Sequence, residues 1–366
     1  WERPLWFDTS AVAASETPRF EHKPGWFEAV GREHRAVRAA VALIDQTSFS
    51  KFEVSGPGAF SALQRIAAND LDRPDGTCVY TQLCNDQGGI EADLTVIKLD
   101  PDRFYVVTGS QFGLRDAGWI SRHLPGDGSV QLRDVTSAYA VINLVGPKAR
   151  DVLQAVTDDD VSDDAFPYLA MRDIEIGLGS ARAARVGYVG ELGWELHVPS
   201  EQAAHVYDTL RAAGEPFGIC DVGYRAIESL RLEKGYVYWS AEVTPDTNPY
   251  EAGLGFCVAL GKGDFIGREA LAAIREQGPE RRLVTLTVDG FAPLIGGEAV
   301  LCEGEVAGTT TSAGYGYTVG RTIAFAYVPV EIAKADDFVI EAYGKAYPAT
   351  RGPRASYDPK SERLKG

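Results

Sequence analysis

The feature that most constrains this chain is a repeat. Val54-Ser55-Gly56-Pro57-Gly58-Ala59 leads into a helical pattern with Leu63 and Gln64, and Leu144-Val145-Gly146-Pro147-Lys148-Ala149 does the same with Leu153 and Gln154, offset by 90 residues at each matched position. Each copy follows an apolar stretch and precedes apolar residues at helical spacing: Phe60, Leu63 and Ala67 in the first, Ala149, Val152, Leu153 and Val156 in the second. Proline suits the start of a helix, where its missing N–H would have no intrahelical partner anyway. Each copy therefore reads as strand, Gly-Pro turn, helix. Two such units predict a duplicated α+β body, and ligands are expected where related halves meet. Shared turn chemistry is the alternative source of the likeness.

A further helix is expected over residues 200–213, with Ala203, Val206, Tyr207 and Leu210 on one face and Gly214 ending it. Another is expected over 268–276, broken by Gln277-Gly278-Pro279-Glu280. Beyond that break, residues 283–288, 300–306 and 322–328 alternate in polarity with glycines between them, the pattern of a small antiparallel β domain. At 366 residues the chain is long for one core. The boundary is placed near residue 279, giving a body over 1–279, with repeat units near 51–67 and 140–156, and a β domain over 280–366.

Hydrophobic residues make up 45% and charged residues 24%, which excludes a disordered or membrane-embedded chain. No apolar run approaches the roughly 18–20 residues needed to span a bilayer, and the first residues lack the layout of a secretory signal. The net charge of −16 argues against nucleic acid and anionic lipid as partners; it would also repel a polyanionic cofactor tail unless local lysines or arginines offset it. Cys78, Cys84, Cys220, Cys257 and Cys302 are odd in number and widely spaced, and His22, His34, His123, His197 and His205 show no ligand spacing. Neither a disulfide framework nor a metal is expected, and a reducing cytoplasm fits. No dinucleotide fingerprint and no P-loop is present. The chain begins at Trp1 and its one methionine is Met171, so an upstream segment, a tag or a whole preceding domain is expected. The aromatic opening Trp1-Glu2-Arg3-Pro4-Leu5-Trp6-Phe7 reads as chain that packs on something.

Three stretches could carry chemistry. In the first, Asn85-Asp86-Gln87-Gly88-Gly89 is a hairpin turn, after which Ile90, Ala92, Leu94 and Val96 share one strand face and Glu91, Asp93 and Thr95 the other. Those carboxylates either form a solvated edge or turn toward a cleft. In the second, glycines 187, 190 and 193 allow close backbone approach, Tyr188 and Trp194 offer flat surfaces, and Glu195 offers a carboxylate able to accept two parallel N–H bonds from a heterocycle. A glycine-rich hairpin with packed aromatics is the other reading. The third, Ser229-Leu230-Arg231-Leu232-Glu233-Lys234-Gly235, is a charged helix end that says little alone.

Taken in order, these motifs resemble the aminomethyltransferase (glycine-cleavage T-protein) family. The match includes Glu33-His34 and Ala36-Val37-Arg38, the Gly88-Gly89 turn with Asp93-Leu94, Gly187-Tyr188 through Glu195, and Leu230-Arg231-Leu232-Glu233. It continues in Phe265-Ile266-Gly267-Arg268-Glu269-Ala270-Leu271, Thr311-Ser312, Gly320 and Ala324, covering the chain from about residue 17. Within the family the chain is more similar to the folate modules of dimethylglycine and sarcosine dehydrogenases and oxidases. That nearer likeness rests on Glu2-Arg3-Pro4-Leu5-Trp6-Phe7, Glu91-Ala92-Asp93-Leu94-Thr95-Val96 and Thr244-Pro245-Asp246-Thr247. Pro249-Tyr250-Glu251-Ala252-Gly253-Leu254-Gly255-Phe256 and Tyr357-Asp358-Pro359 add to it. The glycine-cleavage protein usually has paired aspartates at Ala92-Asp93, asparagine at Thr108 and tyrosine at Trp239, departures that argue against glycine cleavage itself.

The resemblance implies an α+β, three-lobed ring of two related subdomains plus a C-terminal antiparallel β-barrel-like domain, with tetrahydrofolate in the central opening. It implies Asp93 as the essential acid, Tyr80 lining the site, Tyr188 and Glu195 holding the pterin, and Arg231 touching the folate. Thr108 and Trp239 join the cofactor-binding set, and no metal is implied. The expected reaction moves a one-carbon unit from an oxidised N-methyl amine to form methylene-tetrahydrofolate, in concert with an FAD-dependent domain or subunit. The alternatives are a stand-alone tetrahydrofolate-dependent O- or S-demethylase giving methyl-tetrahydrofolate, and a non-catalytic folate-binding protein. The latter expects a cysteine where Tyr236 stands.

Overall fold

Both Gly-Pro units form a strand, a turn and a helix in the computed structural model, which describes residues 2–8 and 23–366. Trp1, His22 and the start of the family likeness near residue 17 lie outside the described residues. The first unit runs from the strand Ser50–Ser55 into the helix Ala59–Ile66, the second from Tyr139–Val145 into Ala149–Gln154. Gly56 and Gly146 adopt φ of 124° and 123°, a region that costs glycine little. A Cβ there would lie 2.2 Å from the Ser129 carbonyl oxygen or 2.5 Å from that of Ala40. In each unit the alanine N–H closes the turn on the glycine carbonyl at 2.9 Å. The two units are conformational equivalents.

The units build two separate sheets, whose strands come from interleaved parts of the sequence. The first sheet has the order Cys78–Cys84, Ile90–Asp100, Arg103–Thr108, Ser50–Ser55, Gln131–Asp134, all antiparallel. The second has the order Cys220–Asp221, Ala42–Asp45, Tyr139–Val145, Gly193–Pro199, Gly179–Ala184, Met171–Ile176. The strand Ala42–Asp45 precedes the first unit yet belongs to the second sheet. One face of the first sheet packs under helices Ala59–Ile66 and Gly113–His123 around Phe52, Leu63, Leu94 and Val106. Its other face meets the second sheet, with Cys78, Ile97, Tyr105 and Val107 against Met171 and Ala184. The alternation read from residues 90–96 thus has a physical basis: the apolar set faces the core, and Asp93 faces the other half of the molecule.

Beyond residue 279 a closed barrel forms, in the order Arg281–Asp289, Arg321–Pro329, Glu305–Gly316, Ala299–Cys302, Asp337–Ala342, Lys345–Gly352. The alternating stretch 300–306 is a hairpin rather than one strand, because Glu303 and Gly304 turn at φ of 53° and 87°. The helix expected over 200–213 is observed at Ala203–Gly214 after a 3-10 turn at Ser200–Gln202. The α-helix ends at Gly214, and a 3-10 turn over Glu215–Phe217 carries the chain on to Gly218, φ 76°. Gly214 also makes room for Ile219, which a Cβ would approach to 2.5 Å. The helix Arg268–Gln277 ends at Gly278, as the sequence suggests.

Residues 353–366 leave the barrel and return to the body. The Tyr357 hydroxyl donates to Glu191 at 2.7 Å, Arg363 reaches the same carboxylate at 2.9 Å, and the Tyr357 N–H binds the Glu233 carbonyl. Glu191 is buried, so its charge requires these partners. Glu233 is a second junction: it accepts from Arg38 at 3.0 Å and from the Thr318 N–H of the barrel at 2.7 Å, and lies 3.3 Å from His34 Nε2. Burial works against that charge, but His34, Arg38 and Thr318 hold the carboxyl down at about 2. The opening aromatic run packs on its own chain: Pro4 and Leu5 carbonyls accept from Tyr224 and Arg225, and Trp6 lies 6.3 Å from Trp26. Among the described residues no helix is long and apolar enough to cross a membrane.

Candidate functional site

Asp93, Tyr80, Tyr188 and Glu195 share an unusual placement. Each retains solvent-accessible surface, so each is half-buried, yet each is surrounded by protein deep in the molecule. Side chains that line a recess between the lobes meet both conditions, and that recess is the opening these four residues define. Two shallow external concavities, one on the barrel around Cys302 and Phe338 and one beside Arg65 and His123, include none of these four.

On the first sheet, Asp93 stands opposite Gln82 in register, and the Gln82 amide donates to its Oδ1 at 2.9 Å. Burial pushes the Asp93 carboxyl up to about 6, against hydrogen bonds from Tyr80 and Gln82 that favour the anion. The Tyr80 phenol is itself pushed well up by burial and by Asp93. On the second sheet the pattern recurs. Glu195 stands opposite Asn143, burial pushes its carboxyl up to about 7, and hydrogen bonding with Asn143 opposes that shift. Gln82 Oε1 and Asn143 Oδ1 are buried without a partner among the described residues. Beneath Glu195, His197 is fully buried, binds the Tyr105 hydroxyl through Nδ1 at 3.1 Å, and is pushed down to about 3 by burial, Lys51 and Arg182. It is a neutral, structural histidine at physiological pH.

Tyr188 donates to the Val237 carbonyl at 2.6 Å and stacks with Tyr236 at 5.8 Å, close enough to Asp93 for the carboxylate to act on its phenol. Trp239 packs on the same apolar cluster as Tyr80, between Phe112 at 4.6 Å and the Arg115 guanidinium at 4.3 Å, its indole N–H on the Ile90 carbonyl. Of the residues singled out in the sequence, then, Asp93, Tyr80, Tyr188 and Trp239 gather on one side of the opening and Glu195 stands on the second sheet.

Thr108 and Arg231 are placed differently. Thr108 pairs with Leu94 and shares its core-facing side, where its hydroxyl binds Asp116 of the helix Gly113–His123. Asp116 is buried, and burial pushes it up to about 6 while Thr108 opposes. Arg231 is buried with its N–H groups engaged by Glu228, Glu242, the Tyr236 carbonyl and Ser312. It ties helix Tyr224–Glu233 to the Trp239 loop and to the barrel. Trp194, read as a flat surface, is fully buried in the core against Phe166. Glycines 190 and 193 give room to Lys234 and to the Leu144 carbonyl.

Gln82 and Asn143 escaped the sequence reading. Gln82 lies two residues from Tyr80, so strand alternation alone would have put both on the face of Asp93. Asn143 had no such signal, since its pairing with Glu195 joins strands 52 residues apart.

The two carboxylates lining the opening fit a planar ring rich in N–H donors such as a reduced pterin. Residues 1–262 match the GCVT N-terminal domain and residues 281–358 the glycine cleavage T-protein C-terminal barrel domain. Over its whole length the chain is 38% identical to dimethylglycine dehydrogenase of Mus musculus and to 4-methylaminobutanoate oxidase (formaldehyde-forming) of Paenarthrobacter nicotinovorans, spanning 42% and 44% of those proteins. The chain thus spans less than half the length of these relatives. It is 35% identical to the aminomethyltransferase of Symbiobacterium thermophilum over 84% of this chain and 83% of that one. The glycine cleavage system aminomethyltransferase T of Bartonella henselae superposes with a TM-score of 0.81 at 26% identity, covering 90% of each chain.

Proposed function

Because this chain belongs to the glycine-cleavage T-protein (aminomethyltransferase) family, we propose that it is a tetrahydrofolate-dependent one-carbon transferase. Its donor is an oxidised N-methyl amine of the dimethylglycine or sarcosine kind, and its product is methylene-tetrahydrofolate. The N-methyl donors named in the relatives support this over an O- or S-methyl substrate. The oxidation step falls to an FAD-dependent domain or subunit working with it.

The observation that carries the reading is Asp93, a deep carboxylate on the wall of the opening, steadied as an anion by Tyr80 and Gln82. When bound, tetrahydrofolate supplies the nucleophilic nitrogens that accept the one-carbon unit. Asp93 stabilises cationic charge on the incoming one-carbon unit and takes the proton released. Tyr80 and Gln82 fix the direction of its oxygens. Glu195 accepts N–H bonds from the pterin, with Asn143 orienting it, while Tyr188 and Trp239 wall the ring and limit water. Thr108 and Arg231 act one step removed, by fixing Asp116 and the loop that carries Trp239.

The test supplies a flavin amine oxidase, dimethylglycine and tetrahydrofolate, and measures methylene-tetrahydrofolate against free formaldehyde. The protein is expected to divert the carbon to folate, and Asp93→Asn to abolish that diversion while still binding folate. Full transfer by Asp93→Asn would falsify the assignment.

A further inference from the structure

In a chain of net charge −16, a cation held beside the opening without a carboxylate partner calls for an explanation. Arg354 is such a group. It lies just past the last barrel strand, Lys345–Gly352. Its Nε donates to the Gly235 carbonyl at 3.2 Å, and its Nη1 to the carbonyls of Ala252 and Gly253 at 3.0 and 2.7 Å. Among the described residues no Asp or Glu pairs with it, and its Nη2 makes no hydrogen bond. Three neutral acceptors therefore fix the guanidinium in place without cancelling its charge, and one amino edge is left over.

The cradle is specific to this side chain. Gly235 and Gly253 both turn at φ of 69°. A Cβ on Gly253 would come within 2.0 Å of Arg354 Nη1, and one on Gly235 within 2.2 Å of the Arg354 carbonyl oxygen and 2.8 Å of its Cγ. Gly253 thus leaves room for the guanidinium, and Gly235 for the backbone and stem of the same residue. The side chain is open to solvent while walled by protein, and burial draws its pKa down. Ala252, whose carbonyl Arg354 holds, belongs to the apolar cluster against which Tyr80 and Trp239 pack, and Tyr80 and Cys257 lie near enough to act on the guanidinium. The arginine thus stands at the rim of the space that Asp93 and Tyr80 line.

We propose that Arg354 receives a carboxylate at the rim of this opening through its unengaged Nη2 edge, an inference that rests on the function proposed above. The chemistry required is one carboxylate at some distance from the reacting atoms. Two participants in that reaction carry one: the glutamyl tail of tetrahydrofolate and the amino-acid-type methyl donor. A charge-assisted bond from a prefixed guanidinium would offset the repulsion that the acidic chain imposes on either.

The experiment titrates the full chain and its Arg354→Gln and Arg354→Lys variants with 5-formyltetrahydrofolate, 6-methyltetrahydropterin (which lacks the glutamyl tail) and dimethylglycine. If the site holds the folate tail, Arg354→Gln weakens 5-formyltetrahydrofolate by about tenfold or more, leaves the pterin unchanged, and Arg354→Lys recovers part of the loss. If it holds the donor, dimethylglycine alone is weakened. Unchanged binding of both carboxylate ligands overturns the proposal and leaves the folate reading standing. Equal weakening of the tail-less pterin also overturns it, by showing that the guanidinium only ties two loops together. Failure of the unmodified protein to bind 5-formyltetrahydrofolate overturns the folate reading and this proposal with it.

Discussion

The two sheets solve the same problem with different outcomes. Each turns one carboxylate toward the opening and sets an amide opposite it in register, Gln82 for Asp93 and Asn143 for Glu195. Asp93 has a second supporter in the Tyr80 hydroxyl and stays near 6; Glu195 has Asn143 alone and rises to about 7. Burial raises both carboxyls, and Asp93, with two hydrogen-bonding partners that favour the anion, is the better held of the two for stabilising positive charge. The two arrangements differ by one hydrogen bond, that of Tyr80 to Asp93.

The strongest way to break this comparison is to neutralise each side in turn. Asp93→Asn is expected to lower the transfer rate by about 10³-fold or more with folate affinity within a few-fold, whereas Glu195→Gln is expected mainly to weaken folate binding, by about tenfold to a hundredfold. Paired single-turnover rates and equilibrium titrations would read this, and equal effects on rate in both variants would erase the distinction.

Stability should separate them next. A carboxyl whose folded pKa is raised keeps its proton in the native state after the unfolded chain has lost it. Stability therefore falls as pH rises from the unfolded value of 4.5 through about 7 for Glu195. Relieving that penalty, Glu195→Gln is expected to gain about 2–3 kcal/mol at pH 8 and nothing at pH 4, as measured by denaturant melts at the two pH values. A loss of stability at pH 8 would contradict the burial argument.

The backbone offers an intermediate effect. Gly56→Ala and Gly146→Ala should each destabilise by about 2 kcal/mol or more, and by similar amounts, since both force a Cβ onto a carbonyl oxygen at the same φ. A neutral result at one glycine would mean that the units are not equivalent. The smallest effect is expected from Tyr80→Phe. Removing the phenolic bond raises the Asp93 pKa further, so the acid limb of the rate profile should move up by about half to one pH unit. An unmoved limb would leave Gln82 as the sole support of the anion.

Much of this was legible in the sequence because the signals were local. The Gly-Pro units, the alternation at residues 90–96 and the break at 277–280 each concern neighbours along one chain segment, and each corresponds to an element in the fold. Asp93 could be picked out because strand alternation separates it from core neighbours, and Glu195 because it follows glycines that allow close approach; the family resemblance supplied their roles. What stayed hidden depends on long-range pairing. Asn143 reaches Glu195 only through the register of two distant strands. Thr108 faces away from Asp93 because its pairing with Leu94 sets the parity. Arg231 carries the charge expected of a ligand group, but Glu228 and Glu242 occupy it, which no spacing reveals. The strand Ala42–Asp45 joining the second sheet was equally invisible, since nothing in four residues says which sheet they complete.

Glu233 ties these parts into one thermodynamic unit. Its carboxylate holds Arg38 of the first helix and the Thr318 amide of the barrel, and its carbonyl holds Tyr357 of the tail. A barrel pulled away would leave a glutamate with half its partners gone, so neither lobe gains by opening alone. Heating should therefore give a single cooperative melt, and a protease should find the junction near residue 280 no easier to cut in the native protein than the lobes it joins.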